Sequence, residues 1–270
     1  MRTMRALRLF IACGLMAAGL PLSAATPSTV WLEQLTSPEV AAAIRNGKTT
    51  IIVPIGGTEQ NGPHMALGKH NRRVAALAEK IAGKLGNALV APVIAYVPEG
   101  ALAPPTGHMR YPGTITVPAS AYRAILNSAT RSFKLHGFVD IVFLGDSGDY
   151  QDDNRTVAAA LSREWAGTPV RVHAIREYYD AATTKLNAKL LAEGYTSAET
   201  GRHAGLPDTA LTLALAPDMV RSDIQRGAAP VPASGVAGDP RRATAELGQA
   251  GVDAIVAATV AAITKATRRP

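Results

Sequence analysis

The sequence predicts an α/β fold: a single domain with a mostly parallel sheet flanked by helices on both faces. Three observations carry this expectation. Apolar runs of strand length alternate with helical patterns through most of the chain, as βαβ units require. Two of these runs, Thr49 to Val53 and Val139 to Leu144, are apolar almost throughout, as in strands covered on both sides. Both empty into polar, glycine-marked loops, the place where open α/β sheets carry ligand sites.

Taken in order, Ser37-Pro38-Glu39 predicts a helix start, with proline in the first turn and Gly47 as the stop. The strand Thr49 to Val53 follows, then a long loop from Gly56 to Asn71 and a helix from Arg72 to Leu85. Ala88 to Tyr96 predicts a strand kinked or placed at an edge by Pro92. A Pro/Gly-rich loop from Pro98 to Gly113 contains His108, and Thr114 to Val117 predicts a short strand. Ser120 to Leu135 predicts a helix closed by His136-Gly137. The strand Val139 to Leu144 leads into the polar loop Gly145 to Asp153. Helices over Arg155 to Trp165 and Asp180 to Glu193 bracket a strand over Val170 to Ile175. A loop carrying His203 precedes a short helix near Asp208-Thr209, and an alanine-rich helix, Ala243 to Ala266, closes the chain. No internal repeat and no linker divides this pattern.

The N-terminus has its own logic. Arg2, Arg5 and Arg8 precede an apolar run from Leu9 to Leu20, and Ser23-Ala24-Ala25 offers small residues before a cut. Residues 1–25 are expected to be a signal peptide and 26–270 the folded domain, which implies a secreted or periplasmic address. The lone cysteine, Cys13, falls inside that segment, so no disulfide or thiol chemistry is expected in the mature chain. Removing the three arginines leaves 25 basic residues against 21 acidic ones. These positives are scattered and lack interleaved aromatics, which argues against nucleic-acid binding. No apolar stretch is long enough for a mature span, so no membrane association is expected after cleavage.

Four of the six histidines, His64, His70, His108 and His203, lie in glycine- or proline-marked loops; His136 and His173 fall at a helix end and in a strand and are expected to be structural. Loops converging at strand ends can bring Glu59, His70 and Asp146 together. One imidazole and two carboxylates suit zinc, manganese or iron, with water at the open positions. The chain has no HExxH, Walker loop, GxGxxG or GxSxG pattern.

Gly56-Gly57-Thr58-Glu59-Gln60-Asn61-Gly62-Pro63-His64-Met65-Ala66-Leu67-Gly68 resembles the GSTEQHGPHLPLG segment of the creatininase (creatinine amidohydrolase) family. The likeness continues through Tyr111 to Ile115, Val142 to Asp149, His203-Ala204-Gly205 and Gly235 to Gly248. It implies a parallel α/β fold, hydrolysis of C–N bonds in cyclic or linear amides, one or two divalent metals, and assembly as a homo-oligomer, often a hexamer. The family's metal-ligand glutamate falls on Glu59, its neighbouring histidine on Asn61, its aspartate on His70, and its strand-end histidine on Asp146. A Glu/His/Asp set therefore survives with two positions exchanged. The expectation is one metal, held by Glu59, His70 and Asp146, with Asn61 and Gly148 unsuited to a second. His203 matches a catalytic histidine and is expected to act as general base or acid. His108 and Asp208 are expected to orient a small-molecule substrate or water, and Asn61 to donate to the oxyanion. Two alternatives stay open: a non-catalytic small-ligand-binding protein, and a metal-dependent lactone or peptide hydrolase on the same scaffold.

Overall fold

The computed structural model describes residues 28–269; the expected signal peptide lies outside the described residues. Its centre is a four-stranded sheet, β1 (Thr50–Ile55), β2 (Ala88–Val90), β3 (Asp140–Gly145) and β4 (Arg171–Ala174). The order is β2-β1-β3-β4, and every pairing is parallel. β1 and β3 pair over their whole length, Thr50 opposite Asp140 through Ile55 opposite Gly145. Chain order reverses between these two strands, so their carboxyl ends open a crevice.

Helices cover both faces, as the sequence predicts. α1 (Ser37–Arg45), α3 (Ala119–Leu135) and α4 (Gln151–Glu164) pack on one side. There Ile51, Val53 and Ile55 of β1 meet Tyr122, Leu126 and Leu161. α2 (Lys69–Leu85), α5 (Arg176–Asp180), α6 (Leu186–Ala192), α7 (Ser197–Thr200), α8 (Leu206–Leu215), α9 (Ser222–Gln225) and α10 (Ala245–Thr267) complete the helices. Of these, α2, α5, α6, α8 and α10 enclose the second core against Ile52, Val142 and Leu144. α10 is long and apolar enough to cross a membrane by length and composition. In this fold it lies on α8: a Cβ at Gly248 would meet the Ala210 carbonyl oxygen at 1.9 Å, so only glycine lets the two helices approach this closely.

Three expectations about elements change. α2 starts at Lys69, so His70 belongs to a helix rather than to the loop before it. The strand expected over Ala88 to Tyr96 stops at Val90. Residues 114–117 form no strand, because they touch two different segments: Ile115 N–H donates to Thr58 O at 2.9 Å and Val117 N–H to Val97 O at 3.2 Å. Single bonds to separate partners hold the segment without making a ladder.

Tyr150 joins the two strand ends at the crevice. Its buried hydroxyl accepts from the Asp146 N–H (3.1 Å) and the Ser147 N–H (2.9 Å) and donates to Ile55 O (2.9 Å). The β1 loop is fixed to α2 by Asn71, whose Oδ1 accepts from the Gly57 N–H at 2.9 Å.

Candidate active site

A cleft of about 160 Å³ opens at these strand ends, lined among others by Glu59, His70, His108, Asp149, Arg202 and His203. Its floor is a buried chain of charges. Lys69, His70 and Arg73 project from the first turns of α2 and are at most 5% exposed. Asp146, from the end of β3, accepts from His70 Nδ1 (2.6 Å), Arg73 Nε (3.0 Å), Arg73 Nη2 (2.7 Å) and the Tyr178 hydroxyl (2.6 Å). Asp208, in the first turn of α8, accepts from Lys69 Nζ (2.9 Å), Arg73 Nη1 (2.6 Å) and the Ala204 N–H (2.8 Å). To present that N–H, Ala204 adopts a left-handed backbone with φ of 54°, a conformation side-chain-bearing residues rarely take.

The sequence-expected ligands do meet, but in a different arrangement. His70 stands between two carboxylates, with Nδ1 on Asp146 and Nε2 on Glu59 Oε1 at 2.7 Å. Carboxylates only accept, so both ring nitrogens donate and the ring is an imidazolium. Burial and Lys69 oppose this charge, yet Glu59 and Asp146 raise its pKa above the ordinary value. Burial likewise works against the charges on Asp146 and Asp208, and their cationic partners hold both carboxyls below the usual range. His70 therefore has no lone pair to give, and both oxygens of Asp146 are taken by donors. His70 is thus an organic cation held between the Glu59 and Asp146 carboxylates.

The residues that offer ligand atoms toward a common point are Glu59, His108 and His203, whose donor atoms lie within 4.8 Å of one another. Glu59 Oε2 is 3.2 Å from His108 Nε2, and Glu59 Oε1 is 3.7 Å from His203 Nδ1. Gln60 orients both rings. Its backbone oxygen accepts from His203 Nε2 at 2.9 Å, which leaves Nδ1 unprotonated. Burial and Lys69 push the His203 pKa down to about 4, so the ring is neutral. Nδ1 and Glu59 Oε1 thus face each other as two acceptors without a proton between them. The Gln60 side-chain amide is fixed at both ends: Oε1 accepts from the Gly62 N–H (2.9 Å) and Nε2 donates to Gly235 O (3.0 Å). The same Nε2 lies 2.9 Å from His108 Nδ1, which must therefore accept, so His108 carries its proton on Nε2 toward Glu59.

The chemistry of the set fits a divalent cation, with His203 ready to bond through Nδ1 and His108 able to bond through Nε2 once its ring proton sits on Nδ1 instead. The other expected site residues divide. His108 lines the cleft, beside Glu59. Asp208 is held by Lys69 and Arg73 rather than left free. Asn61 is fully buried and spends its amide on Glu59 O (2.9 Å) and Ala66 O (3.3 Å), so it has no donor left for an oxyanion. Lys69, Arg73, Gln60 and Tyr178 were not singled out from the sequence. Charged residues at the start of a helix look like a solvated face, and only the fold shows that they point inward.

The family model for creatininase (creatinine amidohydrolase) matches residues 33–263. Creatinine amidohydrolase of Pseudomonas putida is 26% identical over 200 residues, covering 72% of this chain and 75% of that protein. The mycofactocin precursor peptide peptidase of Mycolicibacterium smegmatis is 27% identical over 221 residues, covering 74% and 78%. A solved structure described as "Creatininase Mn" superposes with a TM-score of 0.75 at 23% identity, covering 89% of this chain and all of that one. With a parallel sheet of this order, a site at the β1 and β3 ends, and a family match across nearly all the described residues, the chain belongs to the creatininase family.

Proposed function

We propose that this protein is a metal-dependent hydrolase of C–N bonds in small amides or short peptides, with Glu59, His108 and His203 holding a divalent cation. The observation that carries the reading is the pair of lone-pair-bearing atoms, Glu59 Oε1 and His203 Nδ1, facing each other across 3.7 Å at the head of the cleft. A cation there supplies positive charge that polarises an amide carbonyl and makes a neighbouring water more acidic. Zinc, manganese and iron all suit the donor set, and creatininase structures described with manganese and with zinc support a metal of this class.

The chain's own residues would do the rest. His70 keeps Glu59 ionised: burial raises the Glu59 pKa, but the imidazolium and Lys69 bring it well below the usual carboxylate range. Asp149, on the cleft wall, has its pKa raised by burial and by the Glu59 charge. A carboxyl with raised pKa at this place can take the proton of the attacking water and pass it to the leaving nitrogen. In this reading His203 is a ligand rather than the base expected from the sequence. Arg202, exposed at the cleft mouth, offers a contact for a carboxylate on the substrate. The export pattern of residues 1–25 supports action outside the cytoplasm, and the family resemblance supports assembly of several copies.

The test is metal content followed by turnover. Purified mature protein should take up stoichiometric manganese or zinc, hydrolyse members of a panel of cyclic amides, linear amides and short peptides, and lose that activity to a chelator. Glu59→Gln and His203→Ala should each lose the metal. Protein that takes up no divalent metal refutes the hydrolase reading and leaves the ligand-binding one.

A further inference from the structure

Lys69, Arg73 and Arg202 all line the cleft, and the first two are already spent. Lys69 Nζ is bonded to Asp208 at 2.9 Å, and Arg73 is divided between Asp146 and Asp208. Arg202 is exposed and pairs with no carboxylate among the described residues. Its backbone is nevertheless fixed. The Arg202 N–H donates to Ala237 O at 2.6 Å, and a Cβ at Gly201, where φ is 56°, would meet that same oxygen at 1.8 Å. Only glycine allows this approach, so the chain is held against Ala237 immediately before the arginine.

Arg202 also stands at the junction with a second space. A groove of about 290 Å³ adjoins the cleft, and the walls of both include Tyr179, Thr183, Arg202 and Asp208. On the groove wall, Ala182, Thr183 and Thr184 come from one turn of π-helix, Ala181–Lys185. Such turns are rare and collect at functional sites. The cleft alone, about 160 Å³, falls below the range of roughly 300–1,000 Å³ usual for small-molecule sites, and the adjoining groove brings the combined space into it. A compact ring seated at Glu59, His108 and His203 leaves the groove unused, whereas a linear molecule reaches into it.

We infer that the groove is the second half of the substrate site: it takes the part of a linear amide beyond the scissile C–N bond, and Arg202 binds a carboxylate on that part. The inference rests on the hydrolase reading of the site and narrows its substrates to anionic linear amides of the N-acyl amino acid type. A guanidinium suits this task, because it stays charged and presents paired donors in the plane a carboxylate needs.

The test is a calorimetric titration of manganese-loaded protein with levulinate, in which a methylene replaces the amide N–H of N-acetylglycine and no C–N bond can be cut. Methyl propyl ketone, with a methyl group in place of the carboxylate, is the uncharged control. Wild type should bind levulinate about tenfold more tightly than the ketone, or better. Arg202→Gln should abolish that preference and Arg202→Lys should keep part of it, with metal stoichiometry and melting temperature unchanged in both. Thr184→Trp, which crowds the groove from an exposed residue outside the cleft, should weaken levulinate and leave metal uptake alone. No preference for levulinate in wild type, the same preference in Arg202→Gln, or wild-type levulinate affinity in Thr184→Trp overturns the inference. Metal uptake without the preference overturns only the groove and Arg202. Protein that takes up no metal is titrated as it stands: that failure overturns the hydrolase reading, and an Arg202-dependent preference for levulinate there still supports the carboxylate site.

Discussion

Asp146→Asn separates a metal ligand from an ionic hub. In the fold described, Asp146 is buried and accepts four hydrogen bonds, three of them from the cations His70 and Arg73. Asparagine keeps the shape but removes the charge and turns one acceptor into a donor facing donors. Arg73 is then left in a dry interior with Asp208 as its remaining partner. Removing one member of a buried charge pair costs about 3–5 kcal/mol, because the other member stays desolvated. For a chain of this size that corresponds to roughly 6–20 °C in melting temperature. The measurement is a thermal or urea melt of wild type and variant, both stripped with chelator, followed by metal titration of whatever remains folded. The ionic-hub account requires the loss in metal-free protein, with metal stoichiometry kept by Glu59, His108 and His203. A variant that melts like wild type without metal, yet no longer binds it, would refute the account and restore Asp146 as a ligand.

Gln60→Glu tests how His108 is oriented. A carboxylate there accepts from His108 Nδ1–H and frees Nε2 for a metal, so affinity should rise by about tenfold while the metal-free protein loses stability; unchanged or weaker affinity in folded protein would exclude His108 as a ligand. His64 provides a pH signature. It is buried, bonded through Nε2 to Thr209 Oγ1 at 3.0 Å, and its pKa is pushed down to about 4, first by burial and then by Lys69. The unfolded chain takes up a proton near pH 6.5 and the folded one only near 4. Stability should therefore fall as pH drops through that window and fall no further from this group below it, by up to about 3 kcal/mol. Urea midpoints at pH 7 and 4.5 should show a smaller difference in His64→Gln than in wild type; equal differences would remove His64 as the cause.

The layered fold was legible because its signals are local. Thr49 to Val53 and Val139 to Leu144 are apolar enough to demand cover on both faces, and the helices between them follow 3.6-residue patterns. Elements at the sheet margin were not, since residues 114–117 are β-branched yet find no continuous partner. At the site, the glycine-rich loop and Glu59 could be read from spacing and family likeness. His70 and Asp146 are expected from the sequence as metal ligands beside Glu59. What each does with its lone pairs depends on its neighbours in the fold: Glu59 against His70, and Arg73 and Tyr178 against Asp146.

The first turn of α2 has no acidic residue and carries Lys69, His70 and Arg73 at or near the end where a helix macrodipole is positive. That helix start is unfavourable by its own electrostatics, and it is retained by carboxylates from three distant segments: Glu59 after β1, Asp146 after β3 and Asp208 in α8. Sequence drift in this protein is constrained accordingly. Loss of any one carboxylate leaves a buried cation of α2 with one partner fewer, so a change at 59, 146 or 208 is expected to be tolerated best together with a change at 69, 70 or 73. The six positions act as a charge-balanced set, although no two of the anions are neighbours in the chain.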